Sequence, residues 1–290
     1  MTTEQAAGPS DPLWLKFLPG ILSSLIGFVG AYILFWNGFK KQKEKEKQKE
    51  TDELIDYFQY LVFSVKRILG PSNSQRESFI KLVEQLKIEK ASDYHFSEIS
   101  SFNFKWFDEI DKSKAQKAFF ENFEGSEEDK YYYYNQLLKS IDLLSLIARS
   151  YKPNFEHFLS KSISYNGSFK EWILTPIRMI DIIVGKDLEN LNPLESEMLT
   201  NSIEWYKIKD EAERFDIYTT YSKWIVPMGK MQHLHLDPDL LKALRHLTSS
   251  YGNFKKNQDH IRFTFENYIK ALNGETKRIR VILRKVERQG

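Results

Sequence analysis

Residues 17–39 read FLPGILSSLIGFVGAYILFWNGF and carry no formal charge. At a rise of about 1.5 Å per residue, a helix of this length covers about 35 Å, and the hydrocarbon core of a bilayer is about 30 Å thick. A buried core helix rarely runs so far without a charged side chain. The stretch therefore predicts one membrane-spanning helix, Phe17–Phe39, and this helix decides where the rest of the chain lies.

The two flanks of this stretch differ in charge. Residues 1–16 carry one lysine against two acids, and no A-x-A pattern of signal-peptide cleavage follows the apolar run. Residues 40–50 read KKQKEKEKQKE, with six lysines and three glutamates. Because basic residues beside a span favour the cytoplasmic side, we expect residues 1–16 outside as a short non-cytoplasmic tail. The charged helical stalk, residues 40–53, and the chain beyond it are then expected in the cytoplasm.

Small residues line one face of the predicted span at helical spacing. Because lipid tails give no hydrophobic drive for helix association, close backbone approach along such a face is a usual source of dimerisation. The face therefore makes a homo-oligomer through the span one interpretation, while the frequency of Gly and Ser in spanning helices is the other. The predicted packing face consists of Gly20, Ser23, Ser24, Gly27 and Ala31.

Composition indicates a folded region after the span. The chain has 21 Phe, 15 Tyr and 6 Trp, and its 41% of apolar residues supply a core despite 28% charged residues. The absence of cysteine excludes disulfides, thiolate catalysis and Cys-ligated zinc. A net charge of +2 gives no general attraction to nucleic acid, so no nucleic-acid partner is expected.

Helix signals recur along the remaining chain. They predict an all-α fold: a single N-terminal transmembrane helix, a charged helical stalk and a multi-helix cytoplasmic domain. One apolar stripe has helical spacing and favours packing on the protein's own core over an intermolecular coiled coil. This stripe consists of Leu54, Phe58, Leu61, Val65 and Ile68. The sequence GKDLENLNP, from Gly185, predicts a boundary between helical regions 54–185 and 186–290.

Shorter signals mark expected helix ends. Gly70-Pro71 is expected to end one helix, and Ser74 to Glu77 has the form of a capping box that opens the next. Pro153, Gly167 and Pro176 are expected to punctuate later helices. Two N-caps are predicted, Ser126 before an acidic first turn and Asn192 before a long helix reaching Phe215. Residues 91–107 alternate only in part, which leaves a short strand or an irregular segment open.

Residues 233–239 read HLHLDPD and are the sharpest chemical candidate. In an extended conformation one face would carry His233, His235, Asp237 and Asp239, and His246 could add a metal ligand. However, Asp237-Pro238 is more typical of a helix start, and no HExxH spacing accompanies the histidines. Surface histidines before a capped helix are therefore favoured over a metal site. No catalytic residue and no cofactor is predicted, and an enzyme is the less favoured class.

The C-terminal residues predict a basic amphipathic helix. One face carries four apolar residues, Ile279, Ile282, Leu283 and Val286, which is typical of packing on a helical domain. This packing is favoured over the alternative, in which the helix lies on anionic lipid. The candidates for lipid contact are Lys277, Arg278, Arg280, Arg284, Lys285 and Arg288.

The order of these parts resembles the bacterial phage abortive infection membrane proteins. Residues 56–68, DYFQYLVFSVKRI, resemble the first cytoplasmic helix of that family. The helix beginning at Tyr131 is similar to the family's aromatic helix, and residues 193–215 correspond to its later long helix. The matching positions in the aromatic helix are Tyr134, Leu137, Leu138, Lys139 and Ile141. The family often has two spans where this chain has one. The resemblance implies a bacterial inner-membrane protein with a role in antiviral defence.

Three functional hypotheses follow from these observations. The first is a single-pass, membrane-anchored helical protein that binds a cytoplasmic protein partner or signals through it. The second is a membrane-held enzyme with a metal site near His233–His246. The third is a structural tether that recruits a partner to the membrane.

Overall fold

The structure, a computed structural model, describes residues 14–88, 94, 97–100, 102, 104–231 and 236–288, without the side chains of residues 14–19, 21, 22 and 188. Every regular element among these residues is helical, which confirms the predicted all-α class. Three helices are long: α1 (Trp14–Lys87), α4 (Glu127–Val184) and α9 (Pro238–Glu287). The shorter ones are α2 (Lys105–Glu109), α3 (Lys112–Asn122), α5 (Pro193–Tyr206), α6 (Glu211–Arg214), α7 (Ile217–Thr220) and α8 (Val226–Gly229). A 3₁₀ turn lies at Leu188–Asn190 and a π-helical turn at Tyr221–Ile225.

The predicted span lies within α1. Among the residues that the structure describes, no helix is long and apolar enough to cross a membrane. Five residues of the predicted span, at 17–19, 21 and 22, have side chains outside that description, and so do residues 1–13 of the predicted outer tail. The transmembrane character of Phe17–Phe39 therefore stays a prediction.

The chain forms two compact units, whose bounds differ from those of the predicted regions 54–185 and 186–290. The first comprises Met1–Tyr60 and Ser113–Asn122, and the second Leu61–Lys112 and Phe123–Gly290. Within the first unit, α3 packs on α1. The ring of Phe58 meets that of Phe119 edge-on at 5.9 Å between centroids, and Lys117 pairs with Glu50 on the surface.

The second unit is built on the antiparallel pair α4 and α9. Ser140 of α4 contacts Glu275 near the end of α9, and Trp172 contacts His246 near its start. Between these contacts, the hydroxyl groups of Ser150 and Tyr268 lie 3.0 Å apart. Each later residue of α4 thus meets an earlier residue of α9, and the two helices stay in contact over most of their length.

The C-terminal half of α1 also packs antiparallel to α9 in this unit. Phe79 lies against Phe265, with centroids 4.9 Å apart and ring planes at 89°. The Arg76 guanidinium donates to the side-chain oxygen of Asn273 at 3.3 Å. All five residues of the predicted apolar stripe are buried, as expected: Leu54, Phe58, Leu61, Val65 and Ile68.

An apolar cluster in the second unit joins α5, α7 and the π-helical turn to the C-terminal end of α4 and the N-terminal end of α9. Its centre is a pair of stacked indoles, Trp205 and Trp224, whose centroids are 4.3 Å apart at an angle of 12°. Each indole N–H is satisfied, that of Trp224 by the Ser202 hydroxyl at 2.7 Å and that of Trp205 by the Arg214 carbonyl at 2.9 Å. Aromatic residues of this kind are usually buried only where their polar N–H finds an acceptor.

Four expected helix breaks are wrong, because α1 continues through Gly70-Pro71 and α4 continues through Pro153, Gly167 and Pro176. Ser74 to Glu77 is accordingly not a capping box. Gln75 instead reaches across to the chain at Ile99, whose N–H donates to the Gln75 side-chain oxygen at 2.9 Å. Packing of this kind overrides a local breaker, because most helical stability in proteins comes from tertiary contacts.

The predicted N-caps are confirmed. The Ser126 hydroxyl accepts from the Asp129 N–H at 3.1 Å, and Asn192 forms a reciprocal capping box with Glu195. Before Ser126, Gly125 has φ of 154°, and a Cβ there would lie 3.3 Å from that of Asp129. The helix after Asn192 is shorter than expected, since it ends at Tyr206. The described part of residues 91–107 holds no strand and follows an irregular path into α2.

Candidate functional site

The most unusual surface of the first unit is residues 23–39 of α1, which we name the apolar arm. Its large side chains are exposed on every side of the helix, since the four consecutive residues Ile33–Trp36 point about 100° apart. Their exposed fractions run from 46% for Val29 to 74% for Leu34. These side chains are Leu25, Ile26, Phe28, Val29, Tyr32, Ile33, Leu34, Phe35, Trp36 and Phe39.

The predicted packing face is open along this arm. Ser23, Ser24, Gly27 and Ala31 are all exposed, and so is Gly20 just before the arm. A Cβ added at Gly20 or Gly27 would meet no atom within 4 Å. The Ser23 hydroxyl is satisfied within its own helix by the Gly20 carbonyl at 3.0 Å. The face is thus smooth and available to a second helix, and whether it binds one stays a prediction.

The charged stalk follows the arm as one more segment of α1. Its side chains pair along the helix, as in the bonds from the Gln42 amide to Glu46 at 3.2 Å and from the Gln48 amide to Asp52 at 2.9 Å. The Lys117 ammonium also lowers the pKa of the Glu50 carboxyl through a hydrogen bond. The transition from apolar to charged surface falls at Phe39 and Lys40, where the sequence placed it.

The basic residues of the C-terminal helix divide into two groups. Arg278 pairs with the Glu275 carboxylate, and Lys285 lies over the Tyr133 ring at 4.2 Å. All six candidates are exposed, and the other four are Lys277, Arg280, Arg284 and Arg288. On the apolar face that they flank, Ile279, Ile282 and Leu283 are buried and Val286 is half-buried, as the favoured packing interpretation predicts. Contact of the exposed residues with lipid stays a prediction.

The predicted metal site near His233–His246 is described by the structure only in part. His233 and His235 lie outside the described residues, whereas His246 belongs to α9. In the described part of the chain, no group of three or more His, Asp or Glu could hold a metal ion. Asp237, which the metal hypothesis counted as a ligand, caps α9 by accepting from the N–H groups of Asp239 at 2.8 Å and Leu240 at 3.2 Å.

The structure instead brings His246 together with aromatic and basic groups that the sequence analysis did not select. The Trp172 indole lies flat on the His246 imidazole, with centroids 4.1 Å apart and planes 5° from parallel. The Lys242 ammonium is 5.6 Å from the centre of the same indole. The sequence could have indicated part of this cluster, because helical spacing places Lys242, Arg245 and His246 on one face of α9. The contact with Trp172 of α4 could not be predicted, since it depends on how the two helices pack.

A buried group of three hydrogen-bonded side chains is the other feature that the sequence analysis did not predict. The Gln258 side chain is 1% exposed, and its amide nitrogen donates to the Tyr94 hydroxyl at 3.0 Å. The Tyr218 hydroxyl donates to the amide oxygen of the same Gln258. Burial raises the pKa of Tyr94 to about 12, since it disfavours the phenolate. Because these three side chains satisfy one another's hydrogen bonds, we interpret this hydrogen-bonded group as part of the core.

Comparison with known proteins gives no information about the function of these surfaces. No protein family, curated protein or solved structure matches this chain. The apolar arm exposes ten large apolar side chains, and removing each of them from water would be worth about 1.5–3 kcal/mol.

Proposed function

We propose that this protein is anchored in a membrane by the N-terminal part of α1 and acts there as a helical binding or signalling module. The observation that carries the proposal is the apolar arm, whose large side chains are exposed all around the helix. A helix that is apolar on every side is stable when buried in a large core or in a bilayer. The neighbouring residues 17–22 extend the uncharged stretch to 23 residues, and the lysine-rich stalk begins at its other end.

The orientation proposed is single-pass, with residues 1–16 outside and the helical domain in the cytoplasm. It rests on six lysines among residues 40–50, since basic residues beside a span are retained on the cytoplasmic side. A reporter that is active only in the cytoplasm is expected to work after Gly290 and to fail before Met1. The opposite pattern would contradict the orientation and leave the anchor itself standing.

The anchor is tested by fractionating cells that express the full chain. We expect the protein in the membrane pellet after an alkaline carbonate wash. Replacing both Ile26 and Phe28 with lysine is expected to move most of it to the soluble fraction, because each lysine at the centre of a span costs about 2.5–3.5 kcal/mol.

The matched control carries the same chemical change on an exposed apolar surface of the second unit. Ile163 is 73% exposed and Phe263 is 61% exposed, so the double variant Ile163→Lys, Phe263→Lys resembles the arm variant in size and charge. This control is expected to stay in the pellet. The proposal fails if the unmodified chain is soluble, or if both variants leave the membrane equally.

We extend the proposal to antiviral defence on the strength of the resemblance to phage abortive infection proteins. Its test is the efficiency of plaque formation on bacteria that express the chain, across a panel of phages. A drop of at least tenfold for some phages, lost with the Ile26→Lys, Phe28→Lys variant, is expected. Equal plaque numbers with and without the chain across the whole panel would remove the defence role without touching the anchor.

A further inference from the structure

A groove in the second unit lies along the first turns of α9 and is independent of the proposed membrane anchor. Its volume is about 560 Å³, within the range of about 300–1,000 Å³ that is usual for small-molecule sites. The groove, which we name the α9 groove, is lined by Pro238, Leu241, Lys242, Arg245, His246 and Ser249. Four of these six residues carry side-chain hydrogen-bond donors, and the two others, Pro238 and Leu241, are apolar.

The polar members form one row. Lys242, Arg245, His246 and Ser249 follow each other at helical steps of three, one and three, so their side chains leave the same face of α9. All four are exposed to solvent. Lys242 and Arg245 lie three residues apart on this face, and like charges at such a distance on a helix repel each other by a few tenths of a kcal/mol.

Two members of the row, Lys242 and His246, contact Trp172 of α4. Trp172 stacks on the His246 imidazole at 4.1 Å and lies beside the Lys242 ammonium at 5.6 Å. Stacking occupies one face of the imidazole but leaves its two nitrogens at the ring edge. Of the two acids at the start of α9, Asp237 uses its carboxylate to cap the helix, whereas Asp239 is an exposed residue of the first turn, three residues before Lys242. Preorganised donors of this kind lower the entropy cost of binding a ligand.

We propose that the α9 groove binds a small molecule that carries a phosphate monoester. A phosphate presents three oxygens, which match the planar guanidinium of Arg245, the ammonium of Lys242 and the remaining donors of His246 and Ser249. Pro238 and Leu241 offer the organic part of the ligand an apolar contact in the same groove. The row covers one short helix face, which suits a single phosphate group better than a nucleic-acid backbone.

Isothermal titration of the full chain in neutral detergent micelles tests this proposal with glycerol 1-phosphate, against glycerol and chloride as references. We expect saturable binding of glycerol 1-phosphate only. Lys242→Gln and Arg245→Gln are each expected to weaken it about tenfold or more, since a hydrogen bond between charged groups is worth about tenfold in affinity. Lys256→Gln is the matched control, because Lys256 is an exposed lysine of the same helix outside the groove.

A second arm separates a soluble ligand from a lipid headgroup with the same chemistry. Micelles containing phosphatidic acid replace the soluble probe, and circular dichroism confirms that each variant remains folded. Binding in this arm alone, weakened by Arg245→Gln, would support the phosphate site and identify the lipid as its source. Binding equal to that of chloride in both arms would overturn the proposal, and so would equal weakening by Lys256→Gln.

Discussion

The Ser140 hydroxyl donates a hydrogen bond of 2.7 Å to the carboxylate of Glu275, and both side chains are buried between α4 and α9. The same carboxylate accepts from Arg278 one turn further along α9. An acid at a helix interface is tolerated only when its oxygens are satisfied, because unpaired burial of a charge is costly. This contact therefore fixes how the two long helices align as well as stabilising them.

Removing the hydroxyl of Ser140 is expected to destabilise the second unit. Ser140→Ala leaves one lone pair of the Glu275 carboxylate unsatisfied, so we expect a loss of about 1–3 kcal/mol in the free energy of unfolding. Urea unfolding followed by circular dichroism measures this loss. Ser160→Ala, the same change at an exposed position of α4, is the control and is expected to change stability by less than about 0.5 kcal/mol. Equal effects from the two variants would show that the bond is dispensable.

Alkaline pH is expected to unfold the chain through its buried tyrosines. Burial raises the pKa of Tyr94 and of Tyr151 to about 12, whereas a tyrosine in an unfolded chain ionises near 10. The folded state thus holds these protons more tightly, so the stabilisation is complete below pH 10 and is lost as pH rises towards 12. Urea unfolding at pH 9, 10 and 11 measures the fall. Tyr94→Phe and Tyr151→Phe are expected to flatten it, and an unchanged slope in the double variant would contradict this explanation.

Pro153 is an exposed proline inside α4, where it removes one backbone hydrogen bond. Pro153→Ala is expected to raise the free energy of unfolding by about 1–3 kcal/mol, since proline costs about 3 kcal/mol relative to alanine within a helix. Thermal and urea unfolding report the gain. At the buried Pro176 the same change also removes packed atoms, so a smaller gain or a loss is expected. A loss of stability at Pro153 would mean that α4 depends on a bend there.

Phe119 carries the packing of α3 on α1 in the first unit. It is 1% exposed and meets Phe58 edge-on, so Phe119→Ala is expected to cost about 3–5 kcal/mol. The neighbouring Lys117→Gln removes an exposed ion pair with Glu50 and is expected to have little measurable effect. Limited proteolysis of residues 105–125 compares the two variants. Cleavage that is equally fast in both would show that the ion pair matters as much to α3 as the ring contact does.

Gly27 lies at the centre of the predicted packing face, and a larger side chain there would separate two helices at their closest approach. If the span self-associates, Gly27→Leu is expected to weaken the dimer by about 1 kcal/mol or more. Cross-linking of the full chain in membranes measures the dimer fraction. Val29→Leu adds bulk on a different side of the same helix and is expected to leave it unchanged. A cross-linking yield that is insensitive to Gly27→Leu would assign this face to lipid.

The sequence by itself determined the helical class and the features that depend on neighbouring residues. Ser126 and Asn192 could be identified as N-caps because the capping bond closes within three residues. The burial of Leu61 and Val65 followed from helical spacing, and the apolar character of residues 17–39 is a property of composition alone. N-caps, helical spacing and composition depend on residues close in sequence, so they can be read without knowing which elements pack together.

Only the tertiary structure decided where helices continue and which distant side chains meet. α1 continues beyond Pro71, where Gln75 and Ser78 bond to residues 97–99, and these contacts outweigh the breaker. The buried link between Tyr94 and Gln258 joins residues 164 positions apart, and the Trp172 and His246 stack depends on the antiparallel pairing of α4 with α9. The physical reason is that helix periodicity identifies which face is buried but carries no information about the partner that covers it.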